Sequence, residues 1–305
     1  LGKNERKSSK RLVGAKRDLK ILVTGGAGFI GSNLVERLVK TGHDVTSLDN
    51  YSSGNADNHI PGAKYIAGNT WNIFDLITFK PDIVFHLGEY SRIEQSLGEV
   101  DKVWQSNCIG THEVIKFCVE NGCKLVYTAS STKFADNGEN MFKSPYSLLK
   151  AKNVDLVLGY SNWKNIDFAI CYFYNVYGPR QIKTGKYATV IGIFEDQYER
   201  GAPLTVVSPG TQTRDFTHID DVVRGMTKFL GSPSGDGYCF GTGKTYSIDD
   251  VAKMFIKNKG SITYLPLRKT ERFNTEIDLY KSKNILQWQS EIELPDYIRS
   301  YIEEK

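Results

Sequence analysis

Short apolar runs such as Ile21-Leu22-Val23, Ile83-Val84-Phe85 and Leu125-Val126-Tyr127 recur along the chain, separated by amphipathic stretches long enough for helices. This alternation is the pattern of βαβ units that build a parallel sheet. It predicts strands over 20–24, 44–48, 64–66, 83–87, 124–128 and 168–172, and helices over 28–40, around 100–119 and over 147–160. The fold class is therefore α/β, a doubly wound parallel sheet whose ligand site lies at the carboxyl ends of the strands. From Asn175 onward the spacing loosens and Gly and Pro punctuate the chain at Gly178, Pro179, Gly201, Pro203 and Gly210. A smaller C-terminal substrate-binding lobe is expected there. The domain reading is an arm over 1–19, the sheet domain over 20–178, and the lobe over 179–305, with parts of 209–245 returning to the sheet domain.

A length of 305 residues with 40% apolar content supports one large unit and a lobe. The net charge of +4 is uneven, because residues 1–20 hold eight Lys or Arg against Glu5 and Asp18, leaving the remainder mildly acidic. We read the basic arm as a solvated tail, not as a nucleic-acid or membrane contact. No run approaches the roughly 18 consecutive apolar residues that a spanning helix needs. The five cysteines, Cys108, Cys118, Cys123, Cys171 and Cys239, include no CxxC pair and suit neither a closed disulfide framework nor a metal site. A soluble protein of the reducing cytoplasm, without a metal, is the expectation.

The chemistry begins at Thr24-Gly25-Gly26-Ala27-Gly28-Phe29-Ile30-Gly31, between the first strand and the first helix. Gly25 suits a tight turn, Gly28 lets backbone approach a pyrophosphate, and Gly31 lets the helix pack on the strand. The helix N-terminus then faces the phosphates with free N–H groups. Asp49 ends the second strand, 18 residues beyond Gly31. A carboxylate there accepts from an adenosine ribose and repels a 2′-phosphate, which selects NAD over NADP. Downstream, Tyr146 and Lys150 are four residues apart on one helix face. The ammonium favours the phenolate and so equips the tyrosine as a general base. Ser130, at the end of the fifth strand, can address the same reacting oxygen.

Together these residues resemble the extended short-chain dehydrogenase/reductase family, in its nucleotide-sugar epimerase and dehydratase branch. The resemblance covers about residues 20–290. It is carried by the glycine turn, Asp49-Asn50, Phe85-His86-Leu87, Asn107 with Gly110-Thr111, Ser130, Tyr146 and Lys150. Further along it rests on Asn175-Val176-Tyr177-Gly178-Pro179-Arg180, Arg214-Asp215-Phe216, Asp220-Asp221-Val222, Gly241-Thr242-Gly243 and Leu286-Gln287-Trp288. It implies a Rossmann fold that binds NAD through Gly25, Gly28, Phe29, Ile30, Gly31, Asp49, Asn50, Asn69, Leu87, Asn107, Tyr146, Lys150 and Tyr172. It implies a nucleotide-diphosphate sugar substrate held by Ser91, Arg92, Ser130, Asn175, Arg214 and Arg268. Tyr146 would be the acid/base, Lys150 would bind the nicotinamide ribose, and Ser130 would bind the sugar 4-hydroxyl. The activity implied is epimerisation through a 4-keto intermediate. The runners-up are a 4-dehydrogenase or 4-ketoreductase with the same residues, and a non-catalytic NAD-binding regulator on the same fold. The resemblance also implies a homodimer built on the helices near 100–119 and 147–160. Their apolar residues Val103, Ile109, Val114, Ile115, Cys118, Leu148, Leu149, Val154, Leu156 and Val157 offer more apolar surface than one sheet face should need.

The chain departs from the family pattern along the sugar side. Ser130 is followed by Ser131-Thr132-Lys133, without the acid that dehydratases and the decarboxylating subgroup carry there. Glu89 stands where a small residue is usual, Asn69 replaces an Asp, and Ser130 and Tyr146 are only 16 positions apart. Glu89 and Lys133 either pair with each other or recognise an unusual substituent.

Overall fold

The computed structural model describes residues 18–305 apart from 232 and 257–259, and omits the side chains of Asn137, Glu139 and Asn140. Nearly all of the basic arm lies outside the described residues. The chain opens with β1 (Lys20–Thr24), α1 (Phe29–Lys40), β2 (Asp44–Asp49), β3 (Lys64–Ala67), the short α2 (Ile73–Leu76) and β4 (Ile83–His86). Next come α3 (Ile93–Ser96), α4 (Val100–Val103), α5 (Thr111–Asn121), β5 (Lys124–Ser130), α6 (Pro145–Lys164) and β6 (Phe168–Phe173). The expected helix near 100–119 is interrupted by a π-helical stretch, Trp104–Gly110, which joins α4 to α5. A single π segment of this kind often accompanies a functional site, because it turns side chains out of the regular helical register. Helix α6 starts where Ser144 accepts from the Ser147 N–H at 3.1 Å with Pro145 at the first helical position, and it ends at left-handed Asn165.

The second half contains β7 (Val176–Tyr177), α7 (Val190–Glu199), β8 (Leu204–Val207), β9 (Thr213–Asp215), β10 (Thr217–His218) and α8 (Ile219–Thr227). It continues through β11 (Gly235–Phe240), β12 (Thr245–Ser247), α9 (Ile248–Ile256), β13 (Ile262–Leu265), α10 (Tyr280–Asn284) and α11 (Leu294–Glu303). Seven strands form one parallel sheet in the order β11-β6-β5-β4-β1-β2-β3. The order reverses between β1 and β4, and this opens a crevice at the carboxyl ends of the central strands. All four residues of β4 are buried, as expected of a strand covered on both faces.

Two apolar layers sandwich the sheet. On one side Leu34, Val35 and Leu38 of α1 meet Val222, Val223 and Met226 of α8, and on the other Val114, Ile115 and Cys118 of α5 meet Val154 and Val157 of α6. This second layer corrects the sequence-based count of dimer-forming residues. Val114, Ile115, Cys118, Val154 and Val157 are fully enclosed because the sheet itself needs that face covered, while Val103 and Leu149 are buried in a smaller cluster with Tyr146. A separate core of Phe194, Val206, Val251, Phe255 and Ile298 holds α7, α9, α11 and the β8/β13 pair together as the smaller lobe. The segment after α10 is fastened to α8 by buried Trp288, whose indole N–H donates to the Asp221 carbonyl at 2.8 Å. The Asp221 carboxylate accepts from the Glu291 and Ile292 N–H groups at 2.9 and 3.0 Å. Among the described residues no helix is long and apolar enough to cross a membrane, and no group of His, Cys, Asp and Glu could hold a metal ion.

Candidate active site

A cleft of about 610 Å³ runs over the carboxyl ends of β1, β4, β5 and β6 and under the smaller lobe. Its floor at one end is the glycine turn. Gly25 has φ +75, a left-handed conformation that L side chains rarely adopt, and a Cβ on Gly31 would overlap the Gly25 carbonyl. Helix α1 begins at Gly28 with no side-chain cap and no acid in its first turn, so its leading N–H groups are available to an anion. Asp49 lines the same end, with one carboxylate oxygen accepting from the Ala27 N–H at 2.9 Å and the other from Tyr51 at 2.8 Å. The carboxylate therefore both braces the turn and presents its remaining lone pairs to the cleft. Capless helix, close-packed glycines and an acid lining the same end fit the diphosphate and adenosine of a dinucleotide.

At the middle of the cleft stand Ser130, Tyr146 and Lys150. Ser130 Oγ accepts from the Thr132 N–H at 3.3 Å and its hydroxyl at 3.0 Å. Tyr146 packs against Val103 and Leu149. The Lys150 ammonium donates to the Thr128 carbonyl at 2.6 Å and to the Glu89 carboxylate. Glu89 is the centre of a buried network. Its other oxygen accepts from Thr111 Oγ1 at 2.8 Å, Asn153 Nδ2 at 2.9 Å and the Tyr127 hydroxyl at 3.2 Å. Thr111 also meets His86 Nε2 at 3.0 Å, and His86 Nδ1 meets Thr24 Oγ1 at 2.7 Å. Thr111 gives its proton to Glu89, so His86 must donate through Nε2 and accept through Nδ1, as neutral imidazole. Burial lowers the His86 pKa to about 4, which agrees with that assignment.

Of the two roles left open for Glu89 and Lys133, the first, a pair with each other, is not formed. Glu89 pairs with Lys150, whereas Lys133 reaches the Tyr172 hydroxyl at 3.5 Å. Gly25, Gly28, Phe29, Ile30, Gly31, Asp49, Asn50 and Leu87 line the cofactor end, and Ser91, Arg92, Ser130, Asn175, Arg214 and Arg268 line the remainder. Three residues expected to contact the cofactor do not line the cleft. Tyr172 is fully enclosed and donates to Asp236 at 2.7 Å, because alternation along β6 turns Phe173, not Tyr172, toward the cleft. Asn107 is buried in the π-helical stretch and clamps the Tyr90 backbone, accepting from its N–H at 2.7 Å and donating to its carbonyl at 2.9 Å. Asn69 is held by Asn50 at 2.9 Å, beside the cleft instead of in its lining.

Arg214 is less available than its place in the lining suggests. It forms an ion pair with Glu271 and donates to the Thr213 and Arg272 carbonyls, each at 2.8 Å. Arg272 escaped the sequence reading, since nothing in Thr270-Glu271-Arg272-Phe273 marks a site until the fold brings that segment over the cleft. Asn153 was legible in principle, being three residues beyond Lys150 on one face of α6.

Three comparisons bear on this arrangement. A family model described as the NAD-dependent epimerase/dehydratase family matches residues 21–243. UDP-glucose 4-epimerase of Mycolicibacterium smegmatis is 29% identical over 310 residues, covering 93% of this chain and 98% of that one. UDP-N-acetyl-alpha-D-glucosaminuronate decarboxylase of Bacillus cytotoxicus is 27% identical over 300 residues, covering 89% and 92%. Among solved structures, UDP-glucose 4-epimerase of Thermotoga maritima with UDP-glucose superposes with a TM-score of 0.86 at 26% identity, covering 93% of this chain and 98% of that one.

Proposed function

The chain belongs to the NAD-dependent epimerase/dehydratase family, and from that premise we propose that it is a nucleotide-sugar epimerase acting through a 4-keto sugar, with a uridine diphosphate sugar as substrate. The observation that carries this reading is the convergence of Ser130, Tyr146 and Lys150 at the middle of a cleft whose far end is the glycine turn and Asp49. NAD, when bound, supplies a hydride acceptor that can return the hydride to the sugar.

The chain's own groups do the rest. Ser130 orients the sugar 4-hydroxyl, and Tyr146 removes its proton as C4 is oxidised and restores it when C4 is reduced. Lys150 has two of its three donor positions committed to Glu89 and Thr128, so one remains for a ribose hydroxyl or the phenol. Arg268, Asn175 and the free donors of Arg214 are suited to the substrate diphosphate.

Relatives of comparable identity include a decarboxylase, so the outcome after C4 oxidation is decided by the residues next to Ser130. Here Ser131 and Thr132 are buried and carry no acid, and Lys133 turns to Tyr172. Elimination needs a carboxylic acid at that wall, and return of hydride does not. Five free thiols accord with a reducing cytoplasm, and the exposed apolar rim of α4, the π-helical stretch and α6 with a homodimer. The deciding experiment incubates the holoenzyme with UDP-sugars in deuterated water and follows the product by NMR. Inversion at C4 without deuterium at C5 supports the reading. Deuterium at C5 or loss of carbon dioxide contradicts it.

A further inference from the structure

The sugar end of the cleft carries more positive charge than a neutral hexose can use. Arg272 is 8% exposed, and its guanidinium donates to Asn175 Oδ1 at 3.1 Å and Ser131 Oγ at 3.4 Å. Arg92 donates to the Ser91 carbonyl at 2.8 Å and to the Tyr187 carbonyl, and its Nε is buried without a partner. Among the described residues neither arginine forms an ion pair with an acid. The neighbouring acids each have another partner: Glu271 pairs with Arg214, Glu89 with Lys150 and Asp136 with Lys143, and Glu94 accepts from the Thr270 hydroxyl; Glu271 and Asp136 still favour the Arg272 cation from a distance. Burying a cation without a counter-ion costs several kcal/mol. Burial, followed by repulsion from Arg214, lowers the Arg272 pKa to about 10, and burial also lowers that of Arg92. Both arginines line the same cleft as Tyr146.

The shortened segment between Ser130 and Tyr146 explains how Arg272 arrives there. Ala135 bridges Thr275, and the Asp136 carboxylate accepts from the Phe273 and Asn274 N–H groups at 3.2 and 3.3 Å. This seam draws residues 272–275 against the loop and seats Arg272 beside Ser131, next to the serine that orients O4. Arg272 thus reaches from Ser131, next to the proposed O4 ligand, to Asn175, the proposed diphosphate ligand.

We propose that the natural substrate is a nucleotide sugar whose pyranose carries a carboxylate, and that Arg272, with Arg92, receives that carboxylate. The inference rests on the epimerase reading and narrows its substrate. A carboxylate would give Arg272 the ion-pair partner it lacks among the described residues, and a guanidinium can grip it with two parallel hydrogen bonds.

The test measures affinities of the NAD-loaded enzyme for UDP, UDP-glucose and UDP-glucuronic acid by calorimetry, with wild type, Arg272→Met and Arg272→Lys. Wild type is expected to bind UDP-glucuronic acid about 10- to 100-fold more tightly than UDP-glucose, the range of a charge-assisted bond. Arg272→Met should erase that gap while leaving UDP affinity unchanged, and Arg272→Lys should retain part of it. Equal wild-type affinity for the two sugars overturns the inference, and that comparison stands even if Arg272→Met does not fold. Loss of UDP affinity in step with UDP-glucuronic acid also overturns it, making Arg272 a diphosphate ligand. C4 inversion of UDP-glucose without preference for the uronate sinks this inference and leaves the epimerase reading standing. Tight, Arg272-dependent uronate binding without C4 inversion does the reverse.

Discussion

The Lys150 ammonium rests against the carboxylate of Glu89, a side chain only 1% exposed, so the lysine of the Tyr146 helix carries a buried counter-ion of its own. Glu89 is also the acceptor for Thr111, Asn153 and Tyr127, and removing it strands an ammonium and three neutral donors together. Glu89→Ala should therefore destabilise the protein by about 3–5 kcal/mol, the usual cost of breaking one side of a buried pair. Glu89→Gln, which keeps an acceptor, should cost less. Urea unfolding of the two variants checks the order, and equal stability of wild type and Glu89→Ala would falsify the network.

Tyr146→Phe removes one oxygen and keeps the ring packed against Val103 and Leu149. Folding and NAD binding should survive, while turnover on the true substrate falls roughly 10²- to 10⁴-fold, the usual contribution of a general acid/base. Ser130→Ala should cost less, because water can replace a hydroxyl that only orients O4. Steady-state rates beside NAD titrations separate the two effects, and near-normal turnover by Tyr146→Phe would remove the tyrosine from the mechanism.

Asp49 should make the protein prefer NAD to NADP, since a 2′-phosphate would meet a carboxylate already fixed by the Ala27 and Tyr51 N–H groups. Asp49→Asn removes the charge and keeps only one of the two backbone acceptors, so the preference should narrow at a cost in stability of roughly 1–3 kcal/mol for the N–H left unpaired. Fluorescence titration with both cofactors measures it, and equal affinities in wild type would contradict the assignment.

The parts of this fold that were legible in the sequence are those with local causes. The strand β1, its glycine turn and α1 follow from apolar runs and from glycines that must meet, and the Tyr146/Lys150 pair follows from helical spacing. The parts that were not legible depend on distant pieces meeting. Arg272 reaches the sugar end only because the loop after Ser130 pairs with residues 272–275. Tyr172 was misplaced because the sequence shows an alternating strand but not which of its faces a crevice will open on. Glu89 stood out as unusual, yet its partner lies 61 residues away on another element.

Acidification should weaken the protein in a window set by His86. Its pKa is lowered to about 4 in the folded state against 6.5 for an ordinary imidazole. Between those values the unfolded chain binds the proton and the folded one does not, so stability is complete above about pH 6.5 and falls as pH drops toward 4. The difference corresponds to roughly 3 kcal/mol. Protonation would put a second N–H on Nδ1, which has to accept from Thr24. His86→Asn should flatten the pH dependence of urea midpoints between pH 6.5 and 4, and an unchanged slope would show that other groups control it.

Assembly turns on the surface that the sheet leaves uncovered. The inward faces of α5 and α6 are used up by the core, yet Val100, Trp104 and Ile109 remain 49%, 54% and 37% exposed, and Trp163 at the end of α6 is 69% exposed. The His112 ring of α5 and the Tyr160 hydroxyl of α6 meet at 2.8 Å, and the Tyr160 ring lies 5.7 Å from that of Trp163, so the outer faces of α5 and α6 adjoin. Exposed tryptophans on adjacent helices are the kind of surface that a second copy, related by a twofold axis, would bury. Sedimentation at micromolar concentration should therefore give a dimer. Trp104→Glu should shift it toward monomer without lowering the thermal midpoint of the monomer, because the side chain contributes little to its own fold. A wild-type monomer at that concentration defeats the proposal. A Trp104→Glu variant that stays dimeric would move the interface off this rim.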